Sequence, residues 1–135
     1  MNNRELGNAF ERELCEKLSE SGFWVHNMAQ NQAGQPADII AVRNKRAYLI
    51  DAKVCSDNRF PLSRIEENQK LAMLLWQECG NSTGWFAFLI GGEIFMMTYG
   101  DIEDLLKNQS KSTLTLSDIV DNGMSLGKWV KPICR

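Results

Sequence analysis

This chain of 135 residues has a single histidine, His26, which excludes histidine-rich zinc sites and nucleases built on two histidines. Its four cysteines, Cys15, Cys55, Cys79 and Cys134, include no C-x-x-C pair. That argues against a zinc knuckle or a dense disulfide framework and leaves buried free thiols as the expectation. No G-x-S-x-G elbow is present, so His26 reads as an ordinary strand-end residue rather than the base of a serine nucleophile. No apolar run approaches the roughly 20 residues that cross a bilayer. The start, Met1-Asn2-Asn3-Arg4-Glu5, lacks the apolar segment of a signal peptide. A soluble, intracellular (cytoplasmic) protein is expected. Positive charge is also in short supply: 15 Lys and Arg against 17 Asp and Glu give a net charge of −2. Nucleic-acid-binding domains are usually basic, and here only cations held by acidic residues would make the surroundings effectively positive.

What is present centres on residues 36–53. Two apolar runs, Pro36 to Val42 and Ala47 to Lys53, flank the polar turn Arg43-Asn44-Lys45-Arg46 and read as a β-hairpin. With the turn centred on Asn44-Lys45, Val42 faces Ala47, Ile40 faces Leu49 and Asp38 faces Asp51. Opposed residues have Cβ atoms roughly 4.5–5.5 Å apart, and like charges there repel. Lys53, two residues beyond Asp51, shares its face and could neutralise one charge. Two carboxylates converging among Ile, Leu and Val point to a hard, oxygen-seeking cation such as Mg²⁺. A surface hairpin with a routine ion pair is the plainer alternative.

The remainder frames this hairpin. Leu6, Phe10, Leu14 and Leu18 recur at helical spacing and predict an amphipathic helix from Asn3 to Ser21, ending near Gly22. Glu11 falls at the edge of its buried stripe, with Arg4 close to the same side. Gly22 to Asn27 reads as a strand, and Gln30 to Gln35 as a polar loop. Ser63-Arg64-Ile65-Glu66 has capping-box spacing and predicts the start of a second helix. Its buried stripe would be Ile65, Ala72, Trp76 and Cys79, with Gln69 inside it, where a buried amide needs partners. Trp85 to Ile90 is a strand covered on both faces, returned by Gly91-Gly92 through Glu93 to Met97. Asp101 caps a short helix from Ile102 to Lys107, and Leu114 to Ile119 is a weaker strand or turn before an irregular tail. The order is α-β-β-β-α-β-β-α: an α/β chain, residues 1–135 in a single domain, with a mixed β-sheet flanked by helices.

Asn8-x-x-Glu11, Pro36-Ala37-Asp38, Asp51-Ala52-Lys53 and Gln69 together resemble the PD-(D/E)xK nuclease pattern, with Asp51 where Glu is commoner. Phe60-Pro61-Leu62-Ser63-Arg64-Ile65, the Trp85–Ile90 strand and Ser112-x-Leu114-x-Leu116 are similar, more narrowly, to the RecU-type Holliday-junction resolvases. The resemblance implies a restriction-endonuclease-like fold. It also implies a site in which Asp38 and Asp51 bind one or two Mg²⁺ or Mn²⁺ ions, with the Ala52 carbonyl, Gln69 through water, and Glu11. Lys53 would orient the attacking water or stabilise the transition state. Arg4, Lys45, Arg46, Arg59 and Arg64 would engage the DNA backbone. The expected activity is that of a metal-dependent endonuclease resolving four-way DNA junctions as a homodimer. The alternatives are a restriction-like or repair nuclease on duplex or flap DNA, and a non-cutting DNA- or protein-binding module on the same fold.

Overall fold

In the computed structural model, which describes residues 2–28 and 37–132, the side chain of Asn2 accepts the Glu5 N–H at 2.9 Å and opens α1 (Asn3–Glu20). Phe10, Leu14 and Leu18, one turn apart, are buried together with Glu11. Leu6 shares their spacing but is 41% exposed, because the helix buries side chains only from Phe10 onward.

The hairpin forms as its turn chemistry dictates. Asn44 and Lys45 sit at φ 53° and 65°, the pair of left-handed residues that a two-residue type I′ turn requires. They join β2 (Ile39–Arg43) to β3 (Arg46–Val54), with Ile40 facing Leu49 and Val42 facing Ala47. β1 (Trp24–Asn27) pairs antiparallel with β2, beginning two residues later than expected. Pro36 and the loop from Gln30 to Gln35 lie outside the described residues, as does Cys134.

After β4 (Arg59–Pro61), a 3₁₀ turn (Leu62–Arg64) and α2 (Glu67–Glu78), the chain returns as β5 (Trp85–Ile90). Gly91 and Gly92, at φ 59° and 77°, turn it into β6 (Glu93–Thr98). Then come α3 (Tyr99–Asn108), β7 (Thr113–Thr115), α4 (Leu116–Asn122), β8 (Met124–Ser125) and α5 (Leu126–Trp129). One six-stranded sheet has the order β1-β2-β3-β5-β6-β8, and β4 pairs with β7 in a second, two-stranded sheet. The pairing of β3 with β5 is parallel and that of the other strand neighbours antiparallel, so the sheet is mixed and flanked by helices, the restriction-endonuclease-like arrangement expected. Each face of the large sheet carries its own core. Phe10, Leu14 and Leu18 of α1 meet Ile39, Ile50, Ala87 and Met96 on one face. Leu49, Phe86 and Phe88 meet Met73, Ile102, Leu114 and Ile119 on the other. Among the described residues no helix is long and apolar enough to cross a membrane.

Several local expectations are corrected. The second helix begins three residues later than Ser63 would place it: Leu62–Arg64 form the 3₁₀ turn, and the capping box is Glu66 with Gln69. Its inward face is therefore Gln69 and Met73, with Trp76 half-buried, while Cys79 is exposed. Cys15 and Cys55 are only partly buried, so the free thiols are not core residues as a class. The third helix is capped by Thr98, whose hydroxyl accepts the Asp101 N–H at 3.0 Å, rather than by Asp101. The stretch from Leu114 to Ile119 divides into β7 and the start of α4, and the tail contains β8 and α5.

Gly123 closes α4 where the chain passes closest to β6. A Cβ there would lie 2.7 Å from the Met96 carbonyl oxygen and 2.8 Å from that of Ile119, both backbone atoms that yield little. Gly123→Ala is expected to destabilise the fold by about 1–3 kcal/mol, the usual cost of overpacking. A denaturant midpoint equal to that of the parent would show that the backbone gives way there.

Candidate active site

Asp38 stands where β2 gives out. Its N–H donates to the Ile50 carbonyl at 3.2 Å, its own carbonyl accepts the Met28 N–H at 2.8 Å, and its Oδ2 accepts the Ala52 N–H at 2.8 Å. The carboxylate thus takes over the pairing of β3 that the strand has relinquished, and three backbone groups fix its place. Asp51 is fully buried in β3. The Lys53 Nζ lies 3.1 Å from its Oδ2, and Gln69 Nε2 donates to its Oδ1 at 3.3 Å. The Gln69 Oε1 accepts from the Glu66 N–H at 3.0 Å and from Lys53 Nζ at 3.4 Å. One amide therefore caps α2 and steadies both charged residues, which is the partner set that a buried glutamine needs.

Burial, followed by the negative charge of Asp38, pushes the Asp51 carboxyl well above the usual carboxylate range, while Lys53 pulls it back. Asp51 Oδ2 is buried and makes no hydrogen bond of acceptable geometry, although the Lys53 ammonium is in ion-pair contact with it. A buried anionic oxygen so incompletely satisfied, with a second carboxylate beside it, suits a hard divalent cation. Among the described residues no group of three or more His, Cys, Asp and Glu side chains is arranged to hold a metal. An ion here would complete its shell with backbone oxygen, water or substrate, as Mg²⁺ commonly does. Glu11 is buried on α1. Burial, then the charges of Glu11 and Asp38, push the Cys15 thiol up to about 11, so both carboxylates act on the same corner of the molecule.

The raised Asp51 carboxyl has a consequence for stability. A group whose folded-state pKa exceeds its unfolded value contributes stability below the ordinary carboxylate range, and loses it as pH rises through the raised value. Without divalent ions the protein is therefore expected to melt higher at about pH 5 than at about pH 8, both above the ordinary carboxylate pKa. The lowered carboxyl of Asp118 acts in the opposite sense, but only below that window. Mg²⁺ binds the ionised ligand and should stabilise more at the higher pH. Equal Mg²⁺ stabilisation at both pH values would break the link between Asp51 ionisation and the ion.

The basic residues do not form one patch. Lys45 and Arg46 are exposed at the hairpin tip and line a cavity of about 370 Å³ with Arg43, Asn44, Tyr48, Trp129 and Lys131. Arg43 is a tether there, its Nη1 donating to the Ser21 and Val130 carbonyls at 2.9 and 2.8 Å. Arg64 donates to the Val54 carbonyl at 2.8 Å and covers the Phe60 ring, so it braces the end of β3. Arg59 is exposed on β4, and Arg4 is exposed in the first turn of α1. A larger cavity of about 680 Å³, lined by residues of α1, the β5–β6 turn and α5, lies on the face of the sheet opposite Asp51. Sequence reading missed Glu66 and Lys131. The capping spacing Glu66-x-x-Gln69 was legible, whereas nothing local connects Lys131 to a hairpin some eighty residues earlier.

A family model described as archaeal Holliday junction resolvase (Hjc) matches residues 2–133. Among solved structures, Hjc of Archaeoglobus fulgidus, described as a Holliday junction resolvase from an archaeal hyperthermophile, shares the fold. The match has a TM-score of 0.70 at 17% identity and covers 93% of this chain and 100% of that one. No curated protein sequence matches closely enough to count as a relative. The sheet, the acidic pair at its centre and the family match over nearly the whole chain converge: this protein belongs to the archaeal Holliday junction resolvase family, divalent-metal-dependent nucleases that bind and resolve DNA junctions.

Proposed function

We propose that the chain cleaves the phosphodiester backbone of four-way DNA junctions with Asp38, Asp51 and Lys53, using Mg²⁺ or Mn²⁺. The observation that carries this reading is the buried Asp51 carboxylate beside Asp38, its Oδ2 in ion-pair contact with Lys53 at 3.1 Å but without a hydrogen bond of acceptable geometry. Asp38 and Asp51 would hold the ion, with the Ala52 carbonyl, Gln69 through water and Glu11 as further ligands. When bound, the ion supplies Lewis acidity, lowering the pKa of a water and screening the phosphate oxygens. Lys53 would set its ammonium against the negative charge that accumulates on the phosphoryl oxygens in the transition state. Gln69 keeps Asp51 and Lys53 in register through its two hydrogen bonds. Lys45 and Arg46 at the hairpin tip, with Arg4, Arg59 and Arg64, contact phosphates, and binding through them weakens as salt rises. Residues 1–135 act as one nuclease domain. A nuclease acting on DNA would work in the cytoplasm, alongside its substrate.

Two strands of a junction are cut by two equivalent sites, which a two-fold homodimer provides. The Trp85–Met97 hairpin, a candidate for that interface from its apolar content, spends its side chains inside the protomer: Phe86, Phe88, Met96 and Met97 are all at 0% exposure. Nor does α1 present an apolar face, apart from Leu6. Among the described residues, α2 gathers three exposed apolar side chains on one side: Leu71, Leu74 and Leu75 are 58%, 41% and 60% exposed, opposite Gln69 and Met73. A second copy seated there would bury these leucines while each protomer kept its own Gln69 at its site. Leu75→Glu is expected to convert dimer to monomer in sedimentation without lowering the melting temperature of the protomer. A parent protein monomeric at micromolar concentration would remove the dimer.

The functional test is nicking of a labelled four-way junction and a linear duplex of equal length, with and without Mg²⁺. Metal-dependent paired nicks in the junction are expected. Equal cleavage of both substrates would favour a general nuclease, and binding without cleavage a non-cutting module.

A further inference from the structure

β1 is the outermost strand of the large sheet on the side of the hairpin. Its Trp24 is 64% exposed, and His26, two residues on, is also exposed. Their rings lie within 12° of parallel with centroids 6.2 Å apart. Side chains two apart on a strand share a face, and the register shows which face this is. Trp24 pairs with Val42 and His26 with Ile40, and Ile40 pairs with Leu49, which is two residues from Asp51. Trp24 and His26 therefore stand on the same side of the sheet as Asp51, Lys53 and Gln69. Ile40 and Val42 between them and β3 are only half-buried, so among the described residues this part of the sheet face is incompletely covered.

An indole left in water on an edge strand has no packing role, and truncating it costs the core nothing. A flat aromatic surface beside a phosphodiester-cleaving centre suits one class of occupant, the face of a nucleobase. Base–aromatic stacking accepts any base, because each has a π-face, and so it suits an enzyme that reads branched shape. A continuous duplex keeps its bases stacked on each other, whereas a branch point interrupts that stack. We propose that Trp24, extended by His26, is a stacking platform for a base exposed at the junction branch point. The proposal rests on the assignment of Asp38 and Asp51 as the cleavage centre. At about 3.4 Å per residue along a strand, His26 and Trp24 lie about 7 and 14 Å up the sheet from the level of Asp38. That separation corresponds to two to four stacked nucleotide steps of about 3.4 Å, so the base received belongs to nucleotides that close to the scissile phosphate.

The test uses the full chain without divalent ions, so that nothing is cut. A four-way junction carrying 5-bromouracil at the branch point is irradiated in the complex, and the adduct is mapped by mass spectrometry. Crosslinking to the peptide containing Trp24 and His26 is expected, and it should be absent with linear duplex. Trp24→Ala should weaken junction binding by roughly 5- to 150-fold, the range of one lost base stack, and change duplex binding by less than about 2-fold, because the phosphate contacts that hold duplex are untouched. Trp24→Phe should retain most of the junction affinity. Unchanged junction binding by Trp24→Ala, or an equal loss on junction and duplex, overturns the proposal. So does a shift in oligomeric state, which would make Trp24 a protein contact. Because these readings need no cleavage, they separate from the fate of the cleavage centre, which is decided by the Asp51 variant.

Discussion

Asp51→Asn is expected to fold, to lose divalent-ion binding at the site, and to cleave junctions at least roughly 10²–10³-fold more slowly, the loss typical when one preorganised electrostatic partner is removed. Asn has nearly the volume of Asp and still offers an oxygen to Gln69 Nε2, which now donates to Asp51 Oδ1 at 3.3 Å. It is neutral, however, and a hard cation held mainly by the Asp38 and Asp51 carboxylates loses one of those two anionic ligands. The substitution also removes the group that burial and Asp38 push upward, so the pH dependence of metal-free stability should flatten in the same variant. The measurements are a nicking time course with a labelled junction, calorimetric titration with Mg²⁺, and melts at two pH values. A variant that cuts as fast as the parent would remove Asp51 from the mechanism.

Lys53→Ala should give the complementary result: cleavage falls roughly 10²–10³-fold while the affinity for Mg²⁺ is kept or increased. The ammonium is no ligand, and its positive charge, 3.1 Å from Asp51 Oδ2, competes with the ion. Without metal the variant should be less stable by up to about 3 kcal/mol, because a buried carboxylate is left without its partner. Mg²⁺ should restore most of that loss. Undiminished cutting would dismiss Lys53 as the transition-state residue, and loss of Mg²⁺ binding would make its role structural.

How far the sequence could be read depended on how local each interaction was. The hairpin centred on Asn44-Lys45 was legible, and a two-residue loop determines the register of everything around it; that register brings Asp38 level with Asp51. The stripe Phe10, Leu14 and Leu18 was legible by period alone. The start of α2 was misplaced because Ser63 and Glu66 also satisfy the capping spacing. The 3₁₀ turn is chosen instead by what lies around it: Phe60 and Leu62 are buried, β4 pairs with β7, and the Leu62 N–H reaches Ser112 O, a contact from 50 positions away in the chain.

The sequence by itself determined the acid pair, the lysine that shares its face and the hairpin that aligns them, because turn type, strand period and charge act over a few residues. Only the tertiary structure decided the rest. Parallel pairing of β3 with β5 allows α2 to cross beside Asp51, so that Gln69 can cap its own helix and hold the site at once. Which leucines of α2 remain outside, and that Trp24 stands exposed on the Asp51 side of the sheet, follow from packing between elements distant in sequence. No local pattern encodes that packing, because the free energy of burying a face is set by what arrives to cover it.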